Sequence, residues 1–240
     1  LKAVLEQLEV LGVKTTAVTP EDLDAGSVSG YDLVIPMCEA PARIARLDAE
    51  AKRGGPALWV NPPSAVRACY RTAMVPRLAA EPGVEQPPSE VRPTAGGAGA
   101  PPAFPAPHGW WAKRGDVHNT CDRDVVRVET WDRAPAVLAD FASRGIRHWV
   151  LQAHVPGDLV KFYGVGPGRW LTWFYHDPVR AARTPFDLDA LAEQAARGVR
   201  ALGLEVFGGD AIIRPDGSTC LIDLNSWPSF ARVRNGAAVQ

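Results

Sequence analysis

Apolar residues recur at helical spacing in LKAVLEQLEVLGV, so the chain opens in a helix. KTTAVTP then reads as a short strand and EDLDAGSVSG as loop and turn. YDLVIPM reads as a buried strand and ARIARLDAEAKRGG as a helix stopped by glycines, before a second apolar strand, ALWVNPP, closed by prolines. This alternation predicts a small α/β layer with a mostly parallel sheet. Because the sequence begins at Leu1 inside a helix, with no Met and no leading strand, a missing N-terminal piece is expected.

The spacing in SAVRACYRTAMVPRLA predicts one further helix behind a Ser N-cap. From residue 81 to 108 Pro, Gly and Ala dominate, which predicts a long loop between lobes, with EVR as its one short strand and no chemistry of its own. Order returns with WWAK and DVVRVET, strands flanking a polar turn, and the helix RAPAVLADFASRG. HWVLQAHV, LVKFYGVG and RWLTWFYH follow as three strands. FDLDALAEQAARGVRALGL places Leu188, Leu191, Ala192, Ala195, Val199 and Leu202 on one face and is an amphipathic helix. The strands EVFGGDAIIR and TCLIDLN close the chain around the turn PDGS. No internal repeat is visible. The fold class expected is α/β, built as α+β lobes: residues 1–75 as an N-terminal α/β lobe, 76–151 as a central subdomain, and 152–240 as a C-terminal lobe.

Composition changes this picture little. A chain of 240 residues can bury a sizeable core, and 26 Lys and Arg against 27 Asp and Glu give no general attraction for nucleic acid or anionic membrane. Any anionic ligand must be held locally. The four cysteines, Cys38, Cys69, Cys121 and Cys220, form no CxxC pair and read as reduced, structural thiols. No apolar run approaches the ~20 residues that span a bilayer, and no secretory leader is present, so a cytoplasmic protein is expected.

Three segments carry candidate chemistry. In the last hairpin Asp210 lies on one strand while Asp223 and Asn225 sit two apart on the next, so the latter two share a face. Two carboxylates and an amide carbonyl are hard oxygen ligands suited to Mg²⁺ shared with substrate phosphates; the alternative is a pair of solvated or loop-bonded strand-end acids. In LQAHVPGDLVKFYG, Asp158 and Lys161 are charges on an otherwise apolar strand and need partners. Lys161 is then either a phosphate contact or a salt-bridged surface lysine. In WWAKRGDVHNT, Lys113 ends an aromatic strand before a polar, glycine-containing turn that can close over a phosphate. Its Arg-Gly-Asp tripeptide recurs by chance and is discounted. Neither a phosphate-binding GxxxxGKS nor a GxGxxG turn after a strand is present, and HExxH and GxSxG are absent. His118 and Cys121 alone are weak evidence for zinc, and His154 reads as a packed strand residue.

Taken in order and spacing, these segments resemble the ATP-grasp superfamily, which includes D-alanine:D-alanine ligase, glutathione synthetase, ribosomal-protein glutamate ligase and inositol trisphosphate 5/6-kinase. The resemblance spans about residues 57–234 and is strongest after Trp149. It implies an ATP-grasp fold with a small N-terminal α/β lobe and two α+β subdomains enclosing the nucleotide. It further implies Lys113 over the phosphates and Arg71 in CYRTAMV as a second nucleotide cation. In the hinge QAHVPGD, Gln152 would meet the adenine amino group, Val155 would offer backbone groups and Asp158 would bind ribose. Lys161 would lie beside the phosphates or substrate, and Asp210, Asp223 and Asn225 would hold one or two Mg²⁺, with Mn²⁺ as a substitute. Three departures stand out. Ala153 follows Gln152 where many members carry an acid. GGDAII lacks the arginine that some ligases place before the first metal acid, a role open to Arg232 or Arg234. The loop after Lys113 is not Gly/Ser-rich, which leaves His118 and Asn119 as substitutes.

The implied activity is ATP- and Mg-dependent activation of a substrate carboxylate as an acylphosphate, captured by an amine. The rival enzyme reading is phosphoryl transfer to a hydroxyl, for which Arg169, Arg180, Arg183, Arg232 and Arg234 would have to form a basic pocket. A nucleotide-binding module without turnover is the third reading. The expected partner is a small-molecule or peptide substrate, with no nucleic acid or membrane; the eight tryptophans serve a core or an interface equally well.

Overall fold

The computed structural model describes residues 2–117, 119–228 and 230. Its N-terminal part contains α1 (Lys2–Val10), α2 (Pro20–Ala25), β1 (Leu33–Val34), α3 (Pro41–Lys52), β2 (Leu58–Trp59) and α4 (Pro63–Ala68). β1 and β2 pair in parallel, as the alternation predicted, but with only two residues each. KTTAVTP forms no ladder, and the segment read as loop contains a helix instead. The reason is local: Thr19 accepts from the Asp22 amide and the Asp22 carboxylate accepts from the Thr19 amide, a capping box with Pro20 at the first helical position. Leu23, the one buried residue of α2, joins Ile44, Leu47 and Val66 in the small core.

The single helix expected next is two, α4 and α5 (Arg71–Ala80), because Tyr70 takes an extended conformation between them. Its hydroxyl donates to the Glu39 carbonyl at 2.7 Å, holding the break. Arg71 consequently begins a new helix.

A four-stranded antiparallel sheet follows in the order β3 (Ser89–Pro93), β6 (His148–Ala153), β4 (Trp110–Arg114), β5 (Val125–Val128), backed by α6 (Ala134–Ser143). The Pro/Gly-rich segment thus supplies an edge strand. Arg92 folds its loop back by donating to the carbonyls of Ala98 and Ala100. Phe141, Trp149, Leu151, Ala112 and Val128 are fully buried between sheet and helix.

The second antiparallel sheet has the order β10 (Thr219–Asn225), β9 (Val206–Ile213), β7 (Asp158–Val165), β8 (Trp170–Tyr175). One face packs on α7 (Leu188–Leu202) and α5 through Val160, Phe162, Leu191, Val199, Leu221, Leu224, Met74 and Leu78. Of the predicted apolar stripe of α7, Leu191, Ala195, Val199 and Leu202 are buried, whereas Leu188 at the first turn is 41% exposed. Gly203 ends the helix in the left-handed conformation that favours glycine. Asn61 ties the N-terminal lobe to this sheet, its side chain bonding the backbone of Glu205, Val206 and Ser226.

Two cross-strand pairs lock β7 to β9. Phe162 lies opposite Gly209 and Phe207 opposite Gly164. A Cβ on Gly164 would fall 2.2 Å from the Phe207 ring, and one on Gly209 would fall 2.3 Å from that of Phe162. Gly164→Ala or Gly209→Ala is therefore expected to cost ~1–3 kcal/mol by overpacking, read as a lower urea midpoint; an unchanged midpoint in both would contradict this packing.

Candidate active site

The two large sheets enclose a cleft of about 700 Å³, crossed by the chain that joins β6 to β7. Side chains alternate along β7, so Val160 and Phe162 enter the core while Leu159 lines the cleft and Lys161, on the same face of the strand, lies beyond the lining residues. Lys161 is directly opposite Asp210 in the ladder, and its Nζ lies 2.8 Å from Oδ1.

A bulge sets the position of Asp223. From the turn up to Leu221, β10 pairs one-to-one with β9; the ladder then skips Ile222, and Asp223 lies opposite Asp210. Without that extra residue Ile222 would face Asp210, and Asp223 would turn to the core side with Leu221. Asn225 follows on the cleft side, opposite Gly208, and its Oδ1 is buried with no hydrogen-bond partner.

Lys113 approaches from the other sheet. It is 5% exposed, and its Nζ donates to the carbonyl of the bulged Ile222 at 3.2 Å. Burial lowers its pKa from the ordinary 10.5 to about 8; Asp223 opposes that shift and Arg71 adds to it. Arg71, at the start of α5, is 2% exposed and forms an ion pair with Asp223. Its Nη1 donates to the Arg114 carbonyl at 3.0 Å and to Asn119 Oδ1 at 2.9 Å. Its Nε is buried and unpartnered.

The loop after Lys113 is held by Asp124 rather than by glycines. Its carboxylate, fully buried, accepts from the Thr120 amide at 2.7 Å and the Thr120 hydroxyl at 2.9 Å, and pairs with Arg144 and Arg114. Burial pushes the Asp124 pKa up, but Arg144 and the Thr120 bonds outweigh it and hold the group far below the usual carboxylate range. This contribution to stability is present above the usual carboxylate pKa and is lost only as pH falls through the depressed value.

At the opposite end, Gln152 and Val155 line the cleft with Trp111 and His154. The Gln152 amide donates to Ser89 Oγ at 3.2 Å. Trp111 Nε1 donates to His154 Nδ1 at 3.0 Å, which keeps that nitrogen unprotonated, and burial, then Arg127 and His108, lower the His154 pKa. His154 was expected only as a packed strand residue; it lies just past the end of β6 on the cleft wall. Asp158 departs from expectation. It falls on the core-facing side of β7, and its oxygens accept from the amides of Ala182 at 2.7 Å and Thr184 at 3.1 Å. It anchors the loop before α7 and does not face the cleft, because the period of a strand turns residue 158 away from 159 and 161. Arg232, Arg234 and His118 lie outside the described residues.

Among the described residues no three His, Cys, Asp or Glu side chains cluster as a metal site. The oxygen set is instead two carboxylates and an amide, Asp210, Asp223 and Asn225. Asn225's orphaned carbonyl oxygen suits a magnesium ion that shares its coordination with phosphates.

Solved structures superpose on this arrangement of two antiparallel sheets and their helices. A RimK-domain ATP-grasp protein from Sphaerobacter thermophilus matches with a TM-score of 0.74 at 21% identity, covering 99% of this chain and 91% of that one. The chain has the ATP-grasp fold. D-cycloserine synthetase DcsG matches with a TM-score of 0.67 at 16% identity over 100% of this chain and 93% of its own. D-alanine–D-alanine ligase from Bacillus anthracis, complexed with ATP, matches at 0.62 and 13% identity, over 84% and 70%. No family profile matches the sequence, and no curated protein does. At such identities the ATP-grasp likeness is one of fold, and the chemistry must be argued from the side chains. No described helix is long and apolar enough to cross a membrane.

Proposed function

We propose that this chain is an ATP- and Mg-dependent ligase that activates a substrate carboxylate and joins it to an amine, with residues 1–75, 76–151 and 152–240 as its three working lobes. The observation that carries the reading is the convergence of Lys113, Asp210 and Asp223, from two sheets, on one end of a cleft whose other end is lined by Gln152, Trp111 and Val155, with Lys161 bonded to Asp210.

The cleft grades from one chemistry to another. Leu159, Ile212, Val155 and Trp111 offer apolar surface for a purine, with Gln152 as its polar neighbour. Lys113 and Arg71 bring positive charge to the phosphate end, and Lys161 stands across the ladder at Asp210. Asp210, Asp223 and Asn225 would hold magnesium, which when bound neutralises phosphate charge and fixes the triphosphate's position. A substrate carboxylate oxygen then attacks the γ-phosphorus while the bond to the ADP oxygen breaks. The amine attacks the acyl carbon of the resulting acylphosphate, phosphate leaves, the amine's proton is released and an amide remains. Lys113 and Lys161 stabilise the negative charge gathering on the transferred group, so the chain acts by positioning and electrostatics.

A kinase for a polyanion would need a dense basic pocket. Among the described residues, Arg169, Arg180 and Arg183 do not line the cleft: the Arg180 side chain is 89% exposed beside Asp177, and Arg183 reaches the Pro178 carbonyl, while Arg232 and Arg234 lie outside the described residues. With three of the five arginines placed away from the cleft, the ligase is the favoured reading. The test is ADP release with panels of carboxylic acids and amines. A ligase requires one of each and yields an amide, a stable phosphomonoester from a hydroxyl acceptor would establish the kinase instead, and no turnover with any panel would leave a nucleotide-binding module.

A further inference from the structure

We propose that Ser89, on the edge strand supplied by the Pro/Gly-rich segment, fixes which way the Gln152 amide faces and so makes the cleft select a purine carrying an exocyclic amine over one carrying an oxo group. Ser89 is thus a positioning residue, in a role that rests on the Mg-ATP reading of the cleft.

Ser89, Gln152 and Trp111 are cross-strand neighbours in one row of the first large sheet. Their side chains therefore share the face from which Lys113, two residues beyond Trp111, reaches the cleft. Gln152 is 4% exposed and lines that cleft. A primary amide can meet a base in two senses, since a half-turn about its last side-chain bond exchanges an accepting oxygen for a donating nitrogen.

The bonds behind Gln152 remove that freedom. Ser89 Oγ donates to the Pro87 carbonyl at 2.8 Å. A carbonyl oxygen can only accept, so the single hydroxyl proton of Ser89 is committed there and its oxygen is left as an acceptor. Gln152 Nε2 donates to that oxygen at 3.2 Å. Turned the other way, the amide would set its own oxygen against one with no proton to offer. Among the described residues the Gln152 side chain makes no other hydrogen bond, so Oε1 is the acceptor left for the base. The amine of adenine donates to such an oxygen, whereas an oxo group places a second acceptor against it and leaves both unpaired.

The far end of this relay is stiff. Pro87 is buried and is followed by Pro88, so the rings restrict the backbone of both residues. The Pro88 carbonyl accepts the Ala153 amide at 2.9 Å, and Gln86 Nε2 donates to the Val75 carbonyl of α5 at 3.0 Å. Reversing the relay would leave the Pro87 carbonyl without a partner. A stretch whose composition reads as a linker thereby sets the polarity of the base end of the cleft.

Calorimetric binding of the imidotriphosphate analogues of adenosine and inosine to the full chain, each with Mg²⁺, tests this. Inosine carries an oxo group where adenosine carries its amine, and adds no second amine as guanosine does. The unaltered protein is expected to prefer the adenosine analogue. Ser89→Ala should lower that preference ~10-fold, the scale of one hydrogen bond no longer enforced, chiefly by gaining affinity for the inosine analogue. Ser89→Thr, which keeps the hydroxyl, should restore the preference. In a Gln152→Glu background Ser89→Ala should leave the ratio unchanged, because a carboxylate presents an oxygen in either sense. No preference in the unaltered protein, or a preference unmoved in Ser89→Ala, overturns the proposal. An equal loss for both analogues overturns it too, since Ser89 would then only support its strand. Absence of adenosine-analogue binding to the unaltered protein would instead defeat the Mg-ATP reading itself.

Discussion

Asp223→Asn is expected to lower kcat of ATP turnover by roughly 10²–10³, the usual consequence of removing one electrostatic element from a phosphoryl-transfer site, while leaving the fold intact. The amide keeps an oxygen that Arg71 can bond but loses the charge a divalent cation needs. Asp223→Ala separates the two roles of the residue. It should lose turnover to the same degree and also strand the Arg71 guanidinium, whose side chain is 3% exposed. Breaking a buried pair in this way costs ~3–5 kcal/mol, which for a chain of this size lowers Tm by on the order of 10 °C. A coupled assay for ADP and a thermal melt read both outcomes. Turnover and Mg²⁺ dependence that survive in both variants would mean the metal is held elsewhere.

Lys113→Met should reduce kcat/KM for ATP by a comparable factor, but the more telling result is its pH dependence. In the folded, nucleotide-free protein burial brings this amine to about 8 from the ordinary 10.5. The charged form is the one that attracts phosphate, so kcat/KM, which reports the free enzyme, should fall as pH rises through about 8. Lys113→Arg, charged at all accessible pH, should not show that fall. Stability moves in the opposite sense. Between about 8 and 10.5 the unfolded chain carries a proton on this lysine that the folded chain has released, so folding stability rises with pH across that window. Below it the charged amine is a cost the fold carries in full. A flat kcat/KM profile from pH 7 to about 9.5 in the unaltered protein would show that Lys113 does not meet the nucleotide.

These expectations differ in how far they were legible beforehand. Lys113 was visible because a lysine closing an aromatic strand before a polar turn is a local pattern. Its burial and lowered pKa were not, since they come from Ile222, Asp223 and Arg71. Arg71 was assigned to the nucleotide by the family resemblance, on a stretch read as one continuous helix; the break at Tyr70 that sets its position depends on a bond to Glu39. Asp158 was the opposite case. The motif QAHVPGD suggested a ribose ligand, but the strand begins at Asp158 with its side chain on the core face, so a loop distant in sequence takes its oxygens. His154 and the Asp124 anchor of the loop were missed as site elements because neither belongs to a pattern that neighbours in sequence reveal.

By itself the sequence determined most of the elements. Their apolar periodicity, caps and turns are local properties, and from Trp110 onward every expected strand and helix is present. It also determined the chemical types available, the lysines, the two acids and the amide, and their order along the chain. Only the tertiary structure decided which of them meet. A hairpin read from its turn alone pairs Ile222 with Asp210 and hides Asp223 in the core; the bulge reverses this, because shifting a strand by one residue exchanges its two faces. Packing of Leu221 and Leu224 against α5 and α7 accommodates that shift, and such long-range burial leaves no trace in the local pattern of the hairpin.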